Sequence, residues 1–179
     1  EGKAEAARRI QNRQLAKESL VVCDWMYPVI DNPAGDNHAG DPGFESRILT
    51  AATGIRYDEE SLSGIGERIF NLQRAVMLRE GHRPAVDDLL PEEWHTTPLE
   101  SHVADPRCTV PGPGGRPVSR IGSALPLGEY QRARDEFYHA RGWDVASGLQ
   151  PRNLLASLGL EEVYGELADL GLAVERARK

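Results

Sequence analysis

The sequence predicts an all-α, multihelical fold carrying one long irregular arm. Three observations support that expectation. Apolar residues recur at intervals of three and four along several stretches, the spacing of one helix face. Glycines stand just past those stretches, at Gly54, Gly81, Gly142, Gly159 and Gly171, where a helix C-terminus favours them. Residues 82–126 are instead punctuated by "RPAVDDLLP", "HTTPLESH" and "PGPGGRP" and keep no period, a long connection for a single unit.

Residues 1–17 are rich in Ala, Arg, Glu and Gln, all good helix formers. Ile10 and Leu15 are the few large apolar residues there, so this helix is expected to be solvated, or packed on something outside the chain. Residues 19–30 form a short apolar run with β-branched Val21, Val22, Val29 and Ile30, interrupted by Pro28. Strand and buried helix are not separable over such a length. Asp31 to Gly43, "DNPAGDNHAGDPG", reads as loop. "FESRILTAATG" sets Phe44, Ile48, Leu49 and Ala52 on one helical face, closed by Gly54. Asp58 is an expected N-cap, with Glu59 and Glu60 at the positive end of the dipole. The helix it opens runs to Glu80, with a stripe of Leu62, Ile65, Ile69, Leu72 and Val76 widened by Phe70 and Met77. Gly64 and Gly66 inside it cost roughly 1 kcal/mol each against Ala, which points to close approach by another backbone. After the arm, "LGEYQRARDEFYHARG", "QPRNLLASLG" and "EEVYGELADLG" read as three further helices, so residues 1–179 are expected to form a single helical domain.

Composition narrows the function. The 179 residues are 40% hydrophobic and carry a net charge of −7, which argues against a nucleic-acid partner. No apolar run approaches the roughly 20 residues that span a bilayer, and the charged start has no signal-peptide core. Two cysteines, Cys23 and Cys108, make no disulfide framework, so a reducing cytoplasm is expected. The first residue is not Met and lies inside a helical pattern, which reads as a piece of a longer protein.

Cys23, in "KESLVVCDWMYPV", is the residue with most chemistry open to it. Local pattern favours a buried thiol; a nucleophile would need one of the histidines at 38, 82, 95, 102 or 139, and a metal site would need more thiolates than Cys108 supplies. Asp31, Asp36, Asp41 and Glu45 miss the calcium-loop spacing and read as a solvated turn. His95, His102 and Asp105 match no compact ligand motif. Glu67 and Arg68 read as surface charges and Asn71 as a satisfied buried amide. "GPGG" near Gly112 lacks the strand, lysine and helix of a phosphate loop.

"GIGERIFNLQRAVMLREG", then "DDLLPEEW", "RARDEFYHARGWD" and "LLASLGLEEV", together resemble the C-terminal domain of the aldehyde ferredoxin oxidoreductase family, from about Glu18 to Gly171. The resemblance implies a helical domain of a tungsten enzyme, with molybdenum as a substitute, in which two pterin dithiolenes hold the metal beside a four-iron–four-sulfur cluster. It implies that Cys23 ends a motif of the form Asp-x-x-Gly-Leu-Cys and ligates the cluster. Glu18 then stands for the motif's acid at a pterin edge and Val22 for its leucine. Val21 stands where the motif has Gly, a position at which a β-branched residue does not reach positive φ cheaply. Leu20, Val21, Val22 and Trp25 would form an apolar wall. The implied activity is oxidation of an aldehyde to a carboxylic acid with ferredoxin as electron acceptor; some relatives reduce an aromatic acyl thioester. The implied partners are the N-terminal and middle domains of the same enzyme, with a homo-oligomer also compatible. Without them the chain is expected to be inactive, to hold no cofactor and to expose apolar patches. A helical interaction protein without chemistry is the rival from another class.

Overall fold

The computed structural model describes residues 2–23, 40–41 and 43–178, and the parts of the 19–30 run and the 31–43 loop between them lie outside the described residues. Helices dominate, as expected. They are α1 (Lys3–Ser19), α2 (Phe44–Thr53), α3 (Glu59–Arg79), the short α4 (Pro84–Asp87) and α5 (Glu93–Thr96), α6 (Leu127–Ala140), α7 (Arg152–Ser157) and α8 (Glu161–Asp169). The arm also folds a hairpin, β1 (Thr109–Pro111) against β2 (Pro117–Ser119), and "GPGG" is its turn. A parallel pair, β3 (Gln150–Pro151) with β4 (Ala173–Val174), brackets α7 and α8.

Local chemistry explains the helix limits. Asp58 accepts from Ser61 N–H at 2.9 Å while the Ser61 hydroxyl accepts from Asp58 N–H at 2.9 Å, a reciprocal capping box that opens α3. Gly54 adopts φ 73° and ends α2.

The apolar core lies between the C-terminal half of α3 and the α7–α8 pair: Ala75, Leu78, Leu155, Leu160 and Leu167, with Leu149, Leu158, Val163, Tyr164, Leu172 and Ala173 around them. Leu78 and Leu155 are fully buried, each contributing roughly 1.5–3 kcal/mol of transfer free energy.

α1 packs on α3 and α6 rather than standing in solvent, and it does so with polar and small residues. Asn12, Ala16 and Lys17 are its buried side chains, while Ile10 is exposed. The contact is close because of Gly66. A Cβ there would stand 1.9 Å from the Asn12 carbonyl oxygen. The sequence expectation of backbone approach therefore holds at Gly66, but at Gly64 nothing lies within 4 Å.

The apolar stripe of α3 coincides with its buried face only in part, at buried Leu62 and half-buried Ile65, Ile69 and Phe70. Leu62, Gly66, Asn71, Arg74, Ala75 and Leu78 are buried, and Leu72 and Val76 stay exposed. Hydrophobic spacing misplaces the face because α1 docks through Gly66 and amide and charged groups, which a hydropathy pattern does not count.

Gly66→Ala should destabilise the protein by about 3 kcal/mol or more, since a backbone carbonyl has to move. Gly64→Ala, in open space, should stabilise by roughly 0.5–1 kcal/mol. Urea denaturation of the two variants checks both signs.

Candidate functional site

The turn that closes α1 carries the three candidate residues. Val22 N–H donates to the Lys17 carbonyl at 3.2 Å and Val21 N–H to that of Glu18 at 3.0 Å, the paired bonds of a Schellman turn. The same pair ends α3 at Gly81, α6 at Gly142, α7 at Gly159 and α8 at Gly171, each with positive φ. At the end of α1 the left-handed position is filled by Val21, with φ 58°. Sequence reasoning expected Val to resist that conformation; the turn adopts it and holds the strain, on the order of 1–2 kcal/mol for an L-residue. The four other turns of this form carry glycine at that position, and among the described residues Cys108, with φ 49°, is the other non-glycine residue with a positive φ.

Glu18 is exposed and accepts from Gln14 Nε2 at 3.1 Å. Val22 is partly buried. Cys23 is an exposed free thiol, so the local-pattern reading of a buried one is corrected. Of the residues expected to form an apolar wall, Val21 is 92% exposed in this chain, Leu20 and Val22 are partly buried, and Trp25 lies outside the described residues. Charge, rather than apolar packing, steadies the last turns of α1. Glu45 on α2, buried, takes Arg13 at 2.8 Å and faces Lys17 Nζ at 3.9 Å. The reading of Glu45 as a solvated turn residue therefore fails, because it opens α2 instead; Asp41 remains exposed and pairs with Arg47, and Asp31 and Asp36 lie outside the described residues.

Further back, Arg141 fixes the helix. Its buried guanidinium donates to Asn12 Oδ1 at 2.6 Å and Gln11 Oε1 at 2.7 Å, and lies 3.2 Å from Glu67 Oε1. Glu67 also accepts from Asn12 Nδ2 at 2.6 Å and pairs with Arg8 at 3.0 Å, so it is an internal hub and not a surface charge. Arg68 is exposed, as expected, and donates to the Leu158 carbonyl at 2.9 Å. Asn71 meets its expectation: its Oδ1 accepts from Trp143 Nε1 at 2.9 Å and Gln150 Nε2 at 2.7 Å, and its Nδ2 donates to the Glu67 carbonyl at 3.0 Å. Asp144 receives Arg178 and Ser147, and the Arg178 guanidinium in particular holds its carboxyl well below the usual range.

A second cluster lies on one wall of an open cavity of about 560 Å³ bordered by Phe70, Tyr130, Phe137 and Trp143. Asp88 there accepts from Arg74 at 3.0 and 2.5 Å, meets His82 Nε2 at 2.8 Å, and accepts the Tyr138 hydroxyl. Burial opposes its charge, yet the Arg74 and Tyr138 hydrogen bonds win and bring its pKa to about 2. Burial and the Asp88 carboxylate raise that of Tyr138. Both Asp88 oxygens are thus committed to partners, which suits a cross-link between α3, the arm and α6 better than acid–base work.

His95, His102 and Asp105 are not drawn into one site. His95 Nδ1 lies 2.8 Å from the Leu125 carbonyl, His102 Nδ1 accepts from Ala104 N–H, and Asp105 caps Arg107 and Thr109. Cys108 is buried in that same turn. Among the described residues no group of three His, Cys, Asp or Glu side chains could hold a metal ion, and no helix is long and apolar enough to cross a membrane. Any cluster bound at Cys23 would take its other ligands from elsewhere. The donor present fits that role: a soft sulfur, solvent-facing, on a turn whose backbone takes the form that a glycine would take.

The chain belongs to the aldehyde ferredoxin oxidoreductase family: residues 1–160 match the model of aldehyde ferredoxin oxidoreductase, domains 2 and 3. The tungsten-containing aldehyde ferredoxin oxidoreductase of Pyrococcus furiosus is 32% identical over 117 residues, which cover 65% of this chain and 16% of that protein. The protein of the same name from Thermococcus kodakarensis is 31% identical over 115 residues, 64% of this chain and 16% of the relative. The chain therefore spans about 16% of the length of these relatives. Among solved structures, the active site complex BamBC of benzoyl coenzyme A reductase with 1,5 dienoyl-CoA aligns at a TM-score of 0.49 and 21% identity, over 73% of this chain and 16% of that one.

Two outcomes test this geometry. Val21→Gly should stabilise the fold by about 1 kcal/mol and raise Tm by about 2–4 °C, read by calorimetry. Asp88 has a folded pKa of about 2, below its unfolded value, so its contribution is complete above the unfolded pKa and disappears as pH falls through about 2. Asp88→Asn should remove about 2 kcal/mol at neutral pH and flatten the acid limb of a stability–pH profile.

Proposed function

We propose that residues 1–179 act as one helical unit of a longer tungstopterin and iron–sulfur oxidoreductase, and that the turn closing α1 is its contribution to the cofactors. Cys23 supplies one thiolate to a four-iron–four-sulfur cluster whose other ligands lie in the middle of the longer chain. Glu18 accepts hydrogen bonds from N–H groups at a pterin edge, and Val22 packs beneath the turn. The observation that supports this reading is the left-handed backbone of Val21, a conformation suited to the glycine that the resemblance expects there.

When bound, the tungsten centre and cluster supply the redox chemistry: an aldehyde and water become a carboxylic acid with release of two protons and two electrons, the electrons passing toward ferredoxin. The residues of this chain hold and orient. Arg141, Glu67 and Asn12 fix α1, Glu45 steadies its last turns, and the Schellman bonds aim the thiol. The isolated chain, with one candidate ligand, should have no activity.

Metal analysis and low-temperature EPR of the anaerobically purified full-length protein test the reading. Cys23→Ala should abolish or alter the cluster signal while Cys108→Ala leaves it unchanged; an unchanged signal in Cys23→Ala removes that residue from the ligand set. Glu18→Gln should lower pterin content with iron retained. A full-length protein free of tungsten, molybdenum and iron would sink the enzyme reading altogether.

A further inference from the structure

We infer that the open cavity between α3, the start of the arm and α6 is a socket, and that the remainder of the longer chain fills it with apolar side chains; this rests on the reading of residues 1–179 as one unit of a longer protein. The cavity measures about 560 Å³, and Phe70, Met77, Leu89, Leu90, Phe137 and Trp143 supply its apolar lining. Within this chain Trp143 is buried, but Met77 is 46% and Leu89 39% exposed. Exposed Gln73 and Asp87 border the same cavity. An apolar, aromatic and Met-containing centre beside exposed polar residues is the make-up of a lasting protein–protein contact.

The polar groups of the cavity select the occupant. A small-molecule site orients its ligand with a few uncommitted donors and acceptors. Here those groups are already engaged with one another. Arg74 holds both Asp88 oxygens and the Gly148 carbonyl, and the Tyr138 hydroxyl donates to Asp88. The Tyr130 hydroxyl donates to the Asp88 carbonyl at 2.9 Å, and Arg134 pairs with Asp135 at 2.9 Å. What remains on offer is apolar surface, which takes an apolar side chain. A concave patch does not complete itself against the same patch of a second copy, as a twofold contact requires; it takes a protrusion from elsewhere. The matched region covers 16% of the Pyrococcus furiosus relative, so most of a protein of that length lies outside residues 1–179 and is available to supply one.

The test uses the full-length protein with a photo-activatable diazirine residue in place of Met77, photolysed and mapped by mass spectrometry. Adducts should fall on apolar residues of the same chain outside 1–179, with a yield independent of protein concentration. Met77→Glu should lower the Tm of the full-length protein by roughly 4 °C or more, because a carboxylate then enters a dry contact, while Met77→Leu keeps the wild-type value. Adducts confined to residues 1–179, adducts with water alone, or adducts between two copies overturn the inference, as does an unchanged Tm in Met77→Glu. Metal analysis and EPR on the same preparation keep the two readings apart. A normal cluster signal without adducts outside 1–179 overturns the socket and leaves the enzyme reading standing. Adducts outside 1–179 in a protein free of tungsten, molybdenum and iron uphold the socket and overturn the enzyme reading.

Discussion

The arrangement depends on one buried guanidinium. Removing Arg141 from water costs several kcal/mol, and burial lowers its pKa from the usual arginine value. The site answers with Glu67, the Asn12 and Gln11 amides, and the face of Phe70, whose ring centre lies 3.7 Å from the guanidinium carbon. Those partners come from α1 and α3, while Arg141 itself caps α6. Such a pair adds little net stability against an apolar replacement, but it is highly directional. It admits one register of α1 along α3, and Gly66 then lets the two backbones touch.

That constraint reaches the end of α1. With Asn12 held by Arg141 and Glu67, and Arg13 and Lys17 facing Glu45, the axis of α1 is set from its middle to its last turn. Residues 18–23 inherit their direction from it. The segments that carry the family resemblance are, in this light, a scaffold. Glu67 and Asn71 in one meet Arg141 and Trp143 in another, Tyr138 reaches Asp88 in a third, and Gly66 admits α1. They contain no free nucleophile or acid–base pair among the described contacts; they position the helix whose end carries the exposed Cys23 thiol.

The helix ends were the most legible part of the sequence, since glycine and a capping aspartate act through local geometry that needs no tertiary context. Asn71 was legible because an amide beside an apolar stripe has few other solutions. What escaped was polar packing. Arg141, Lys17 and Glu45 are buried charges, and a reading that assigns charges to the surface places each of them wrongly. α1 looked solvated for that reason. The exposed side of α3, with Leu72 and Val76, was misread by the same rule in reverse. The arm hid its hairpin because strands of three residues are too short to show a period.

At the candidate site the residues came from the sequence, and the structure adds the backbone conformation of the turn that carries them. A valine at the left-handed position of a helix end predicts a distorted turn. The structure resolves the conflict in favour of geometry over comfort: the Schellman bonds close, φ stays at 58°, and the side chain is left in solvent. A turn keeps a strained residue when surrounding bonds over-determine its shape, and here these are two carbonyls of a helix pinned upstream by ion pairs. If Cys23 is the ligand we propose, a rigid shaft with an exposed tip suits it, since a group held in place before binding does not have to be ordered on arrival.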